Sequence, residues 1–416
     1  MNDAWNYLIV ITFLVEMTFL AVMERRIWGT VFTPLNILML PFAAVLFLSI
    51  YIVKLFNLYP FVYESIIVWE VGLLIFAIPS WFCSIFLKPE DKVPVEVQMV
   101  GMPNPKVVFL SVLPILAVYG LHLKSVLGAS TSSLGSDQFA EEATAGGMWS
   151  HFFVLIMTLE IFCIFYMSKK NWFFIIPVLV CIVFCVLNQV KGWVLIPLIG
   201  ASLIKVFTGQ LHISLRTVVI VLLGGFGFFF LSYYLSLVLS EDKEFTDDVL
   251  FFIFRNFFHY LSSGVLGLSM DWDRGILEEP SVEYLFTPFH NIANLLTGNK
   301  LLSNLNGYYL QTTWPGLGTN IRSFMGTIYV YGREFAPFVV LLYASVAYVF
   351  YFCMIRKRTS VWVMLSAWFC SLLFMGWFDY YFALLIPFEV MALIALINSI
   401  SRLLAKRDVE AHSEKN

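Results

Sequence analysis

Three small groups of residues carry the types and spacing that could do chemistry. The first is the run "GTNIRSFMGTIYVYGREF" from Gly318 to Phe335. Read as a helix, it places Arg322, Gly326, Tyr329 and Arg333 on one stripe about 60° wide. Two guanidiniums about 16 Å apart along that stripe could hold a long anionic group, or phosphates of two ligands. The glycine between them leaves room for close approach, and Asn320 stands just ahead. The alternative is that both arginines snorkel to lipid headgroups.

The second group is Arg255, His259 and Ser262 or Ser263, at steps of about one helical turn in a Phe-rich run. Arginine suits phosphate, and histidine can take a proton near neutral pH. Tyr260 stands beside them. Without chemistry, this is the wet face of an interfacial helix. The third group is "NQVKGW" (Asn188–Trp193), a turn between apolar segments where Lys191 could reach a phosphate or simply anchor the interface. His290, near Asn291, Asn294 and Asn299, could contact sugar hydroxyls. Asp271-Trp272-Asp273 has the D-x-D spelling of metal-dependent sugar transferases, but the spelling is short and common. Asp379, in "GWFDYYF", reads as a solvated loop acid.

The elements that position these groups are apolar. The chain has 416 residues, 60% hydrophobic and 13% charged, about half the charge of a soluble domain. It reads as an integral membrane protein. A net charge of −3 and the lack of a long basic block exclude nucleic-acid binding. The six cysteines all lie in apolar runs, so they read as packing residues, neither disulfides nor zinc ligands. The first apolar segment follows Asp3 and precedes Glu24-Arg25-Arg26, the reverse of a cleavable signal peptide's charge order.

Apolar windows predict an all-α polytopic fold with about eleven transmembrane helices. Eight lie in residues 1–239 and three in 336–400. A large, partly helical outer loop spans 240–335, and a tail spans 401–416. The run Ser323–Met354 is too long for one perpendicular span, so its first part stands proud of the membrane or lines a cavity. "VLFFIFRNFFHYLSSGVLGLSM" (Val249–Met270) is expected to lie along the membrane surface. Sixteen of the 25 Lys and Arg fall in one set of connections, which places that set and the C-terminus in the cytoplasm.

The chain resembles the Wzy-like polymerases of bacterial O-antigen and capsule repeat units. That family has a large outer loop in its C-terminal half, followed by a motif N-(V/I)-x-T-x-(F/L)-x-x-x-Y-x-D-(F/Y)-G. Asn320-Ile321-Arg322-Ser323-Phe324 matches its start and Tyr329-Val330-Tyr331-Gly332 its end. Arg255 with Tyr260 fits the family's basic residue and tyrosine in an amphipathic helix. Lys191-Gly192 fits its small-plus-basic turn. Ser323 replaces the usual Thr, Val330 stands near the position of the usual Asp, and Lys191 replaces a frequent Arg, which loses the bidentate fork.

The resemblance implies a glycosyltransferase of the bacterial inner membrane. It would join undecaprenyl-pyrophosphate-linked oligosaccharides at the periplasmic face without metal or other cofactor. Arg255, Arg322 and His259 would be catalytic. Lys191, Tyr260, Asn320, Gly326, Tyr329, Arg333 and His290 would bind substrate. Arginine and lysine would stabilise the leaving pyrophosphate. Partners would be membrane lipid, a flippase and a chain-length regulator. The competing expectations are an O-antigen ligase-type transferase and a polysaccharide flippase.

Overall fold

The computed structural model describes residues 3–88, 102–129, 137–144, 147–188, 191–234, 246–276, 279, 281–303, 310–311 and 318–413. Fifteen α-helices follow one another among them. They are α1 (Asp3–Trp28), α2 (Pro34–Leu55), α3 (Ile66–Ser84), α4 (Pro105–Ala129), α5 (Asp137–Thr144), α6 (Met148–Tyr166), α7 (Ile175–Leu187) and α8 (Lys191–Phe207). Then come α9 (Leu215–Tyr234), α10 (Asp247–Arg274), α11 (Thr287–Thr297), α12 (Phe324–Gly332), α13 (Ala336–Lys357), α14 (Ser360–Phe374) and α15 (Ile386–Ser413). The extended residues are two short segments, Leu310–Gln311 paired antiparallel with Gly318–Thr319.

Nine helical segments among the described residues are long and apolar enough to cross a membrane. Backbone polar groups in hydrocarbon must be satisfied within the segment, which is why such runs are helical. The chain is an all-α, multi-pass membrane protein. Eight of the nine coincide with windows expected from sequence. Trp172–Leu187, Gly192–Phe207 and Arg216–Gly227 are apolar but shorter. The ninth, Asp247–Arg274, passes the same test of length and composition, while its sequence is that of a helix expected to lie along the membrane surface. It lies across the C-terminal end of α2: the Phe56 ring is 5.9 Å from Phe251 and 5.0 Å from Phe258, and the Tyr59 hydroxyl donates to Asp273.

Two compact units share the chain. The first comprises Met1–Pro94, Asp247–Phe352 and Leu372–Leu385. Its interior combines apolar packing with satisfied polar groups. Glu24 is fully buried on α1. Its carboxylate accepts from Ser80 Oγ and, at 2.8 Å, from the Tyr348 hydroxyl. Trp28 Nε1 donates to Ser80 at 2.8 Å. A buried carboxylate is costly unless held this way. The rings of Phe42 and Trp69 stack with centroids 3.5 Å apart.

The second unit comprises Val95–Thr246, Cys353–Ser371 and Ile386–Asn416. Its central helix is α6, buried from Phe153 to Phe165 apart from one half-buried position. Trp368 Nε1 donates to the Pro387 carbonyl at 2.9 Å, and Ser360 Oγ donates to Asn398 Oδ1 at 2.8 Å. All six cysteines are free thiols, four of them buried.

Candidate functional site

A buried polar cluster in the first unit lies along α10. From Ser262 to Asp271 every residue of this helix is buried. Gly264 and Gly267 stand one turn apart within it. A Cβ at Gly264 would overlap the carbonyl oxygens of Trp377 and Phe378, and one at Gly267 the carbonyl of Ile321. The missing side chains therefore admit two irregular segments, 318–323 and 377–381, against one face of α10. Ser323 N–H donates to the Gly264 carbonyl at 3.1 Å, and Trp69 Nε1 donates to Ser323 Oγ at 3.0 Å.

Arg322 is held at this junction. Its Nε–H and an Nη2–H both donate to the Asp271 carboxylate, the latter at 3.3 Å. Both residues are only 2% exposed. A fork-to-carboxylate pair is the arrangement that makes burial of two charges tolerable. The structure corrects the expected stripe here. Helix α12 starts at Phe324 and ends at Gly332, so both arginines lie outside it. Ser323, with φ −26° and ψ 166°, is not helical, so Arg322 leaves the helical path and meets α10.

Gly326 is also corrected. It opens no space for a ligand, because a Cβ there would meet Leu268 Cβ and Ser323 Oγ, each at 3.2 Å. Tyr329 is half-buried and its ring stacks on Trp272 at 6.0 Å. Arg333 is exposed and ends the helix with φ +48° and ψ −122°, a conformation that favours glycine. Asn57 and Arg358 share this left-handed φ, near 50°.

His259 is 3% exposed, and its Nε2–H donates to the Gly318 carbonyl at 3.0 Å. Its Nδ1 finds no hydrogen-bond partner among the described residues. Ser262 and Ser263 bond back to carbonyls of their own helix, so they are not part of a relay. Tyr260 is 38% exposed and lies parallel to the Phe378 ring at 6.2 Å. Arg255 is half-buried one turn before His259, and Asn320 is exposed. His290 stands on a separate helix, α11, and Lys191 begins α8 in the second unit. The Lys191 side chain lies outside the described residues.

The D-x-D carboxylates go to different partners. Asp271 faces Arg322, whereas Asp273 accepts from the Tyr59 hydroxyl. The Arg274 guanidinium lies 4.6 Å over the Tyr59 ring. The two carboxylates are thus spent separately rather than brought to one ion.

Sequence reasoning missed Asp379. It is half-buried, not solvated. Its Oδ1 accepts from Tyr380 N–H at 2.7 Å. Burial pushes its carboxyl up to about 6, while the Tyr380 N–H and the nearby Arg322 charge pull it down. The available signal was an acid inside an aromatic run, where a purely solvated loop would carry polar neighbours. Tyr380 fixes the same segment through its hydroxyl, which donates to the Leu285 carbonyl at 2.9 Å and lies 2.7 Å from the Tyr343 hydroxyl.

A family model described as "Family of unknown function (DUF6337)" matches residues 57–407, the greater part of the chain. No curated protein and no solved structure matches it.

Proposed function

The chain belongs to this family of unknown function, and we propose that it polymerises undecaprenyl-pyrophosphate-linked oligosaccharide repeat units by glycosyl transfer. The reading places it in the bacterial inner membrane, with the site at the periplasmic face and the C-terminus in the cytoplasm. One observation carries it. The segment bearing the polymerase-like motif, Asn320–Gly332, folds directly onto the helix bearing Arg255, His259 and Tyr260.

In this reading, Arg322 is a positioning residue. Its charge is largely offset by Asp271, so it locks the motif segment to α10 rather than gripping pyrophosphate alone. The cationic grip falls to Arg333 and Arg255, with Tyr260 and Asn320 presented to sugar. His259 orients the Gly318 end of the segment. Asp379 is the proton acceptor.

An acceptor sugar hydroxyl forms a bond to the donor's anomeric carbon. The bond from that carbon to the pyrophosphate oxygen breaks, and its electron pair leaves with the polyprenyl pyrophosphate. The hydroxyl proton passes to Asp379. Fixed cations favour this because negative charge grows on the leaving group in the transition state. A flippase would supply the lipid-linked units, and a chain-length regulator would set the product's size.

The test is a cell making one lipid-linked repeat unit and lacking its own polymerase. Expression of this chain should yield a ladder of polymer. Arg255→Ala and Arg333→Ala should leave single units and no ladder. A full ladder from both variants would overturn the site assignment. Loss of single units as well would point to a flippase or ligase.

A further inference from the structure

Helix α11 is built inside out for a helix in water. Its large apolar residues face away from the protein: Phe289 is 50% exposed, Ile292 47%, Leu295 73% and Leu296 82%. At 100° per residue these four occupy an arc of about 120°. Its amides are spent inward. Asn291 Oδ1 accepts from Leu302 N–H at 2.7 Å, and its Nδ2 donates to the Leu302 carbonyl at 3.0 Å. Asn294 Nδ2 donates to the Lys300 carbonyl at 3.1 Å. A left-handed Gly298 turns the chain back so that this strap can form. Leu301, at its tip, is 51% exposed. Polar groups thus hold the hairpin together while a continuous apolar face is left outside, which marks an interaction surface.

The level at which α11 leaves the protein identifies what covers that face. The segment Phe324–Lys357 holds 34 residues, more than the ~20 that cross a hydrocarbon core of about 30 Å. Arg356 and Lys357 mark one end of its crossing. About 20 residues back from them is Ala336, where α13 begins. The two residues just before α11 are pinned beside this point, Leu285 at the end of α12 and Phe286 on α13. Leu285 Cδ1 lies 3.4 Å from the Cβ position of Gly332, and its carbonyl accepts from Tyr380. The Phe286 ring lies parallel to that of Tyr343, 6.3 Å away. Tyr343 is seven residues into α13, about 10 Å along its axis. In that same stretch α13 exposes Phe338 (69%) and Leu342 (48%), side chains turned to lipid. Helix α11 therefore departs at or inside the hydrocarbon boundary.

We propose that α11 is a membrane-interface helix. Phe289, Ile292, Leu295 and Leu296 enter the acyl chains of the leaflet that α13 enters, with Lys300 among the headgroups. The bilayer is the occupant because the apolar face lies level with the lipid-facing side of α13. Nothing in this placement depends on glycosyl transfer.

The experiment uses the full chain in phosphatidylcholine nanodiscs. A fluorescent apolar amino acid replaces Leu296, or in a second variant Ile292, and a control carries it at exposed Asn299. Folding is checked by size exclusion. With bromines on the acyl chains, emission at 296 and 292 should be quenched several-fold more than at 299. Equal, weak quenching at all three positions would overturn the proposal. So would two specific results. The first is shielding that appears only at high protein density, which would mean a second copy. The second is an emission change that requires added undecaprenyl phosphate, which would mean the substrate's own tail.

Discussion

Arg322 and Asp271 neutralise each other in the interior of the first unit, 51 positions apart in sequence, through a two-point contact shielded from solvent. Removing one partner strands the other charge. Arg322→Ala and Asp271→Ala should each cost about 3–5 kcal/mol. Thermal unfolding in detergent should show a large drop for either. The paired change Arg322→Met with Asp271→Leu should recover most of the loss, because volume is kept and no charge is stranded. Single variants that melt like the parent would show that the contact is not structural.

The same pair shows what was legible in the sequence. Apolar windows carry the membrane-spanning helices, because hydrocarbon imposes a local length and composition. Residues of chemical interest were legible by type: His259 and Tyr260 lie on α10, and Arg322 packs against it. Their geometry was not. Helical spacing assumed that the helix began before Arg322, whereas a Ser323 N–H bonded to Gly264 starts it afterwards. That bond joins residues 59 positions apart, and no local pattern encodes it. The burial of Asp379 is not legible for a related reason. Its burial is produced by α10 glycines that draw the 377–381 segment inward.

Gly264 and Gly267 should not tolerate side chains. A methyl group at either would press on backbone carbonyls, which cannot rotate away as side chains do. Gly264→Ala and Gly267→Ala should each cost about 1–3 kcal/mol or more. Gly225, in α9, has nothing within 4 Å of its Cβ position. Gly225→Ala should leave the unfolding midpoint unchanged or raise it. Equal tolerance at all three positions would contradict the close approach described for α10.

Arg333 separates stability from function. Its backbone conformation costs an arginine about 1–3 kcal/mol and a glycine far less. Arg333→Gly should therefore unfold at the same or a higher temperature. If the exposed guanidinium grips pyrophosphate, the same variant should lose polymer ladder while single lipid-linked units persist. A stable variant with a normal ladder would remove Arg333 from the site.

Asp379 gives the sharpest pH signature, because its two effects have opposite signs. Its carboxyl moves from 3.8 to about 6 in the folded chain. Between those values the folded state holds more proton than the unfolded one. Stability therefore falls as pH rises through this window, and the cost is complete above about pH 6. A proton acceptor works only when ionised, so the transfer rate should rise across the upper part of the window and level off above it. The groups that face it bear on the position of this limb: Arg322 lowers it, while Tyr381 ionises far too high to interfere. Asp379→Asn keeps an oxygen for the Tyr380 N–H and removes the charge. It should be at least as stable as the parent at pH 7, lose the acidic limb of the rate profile and lose most of the transfer rate, while lipid-linked donor still binds. Asp379→Glu should recover part of the rate. A parent enzyme that polymerises, with an Asp379→Asn variant matching its rate and pH profile, would eliminate Asp379 as the acceptor and leave the glycosyl-transfer reading intact. A parent that never elongates the lipid-linked unit would eliminate that reading itself.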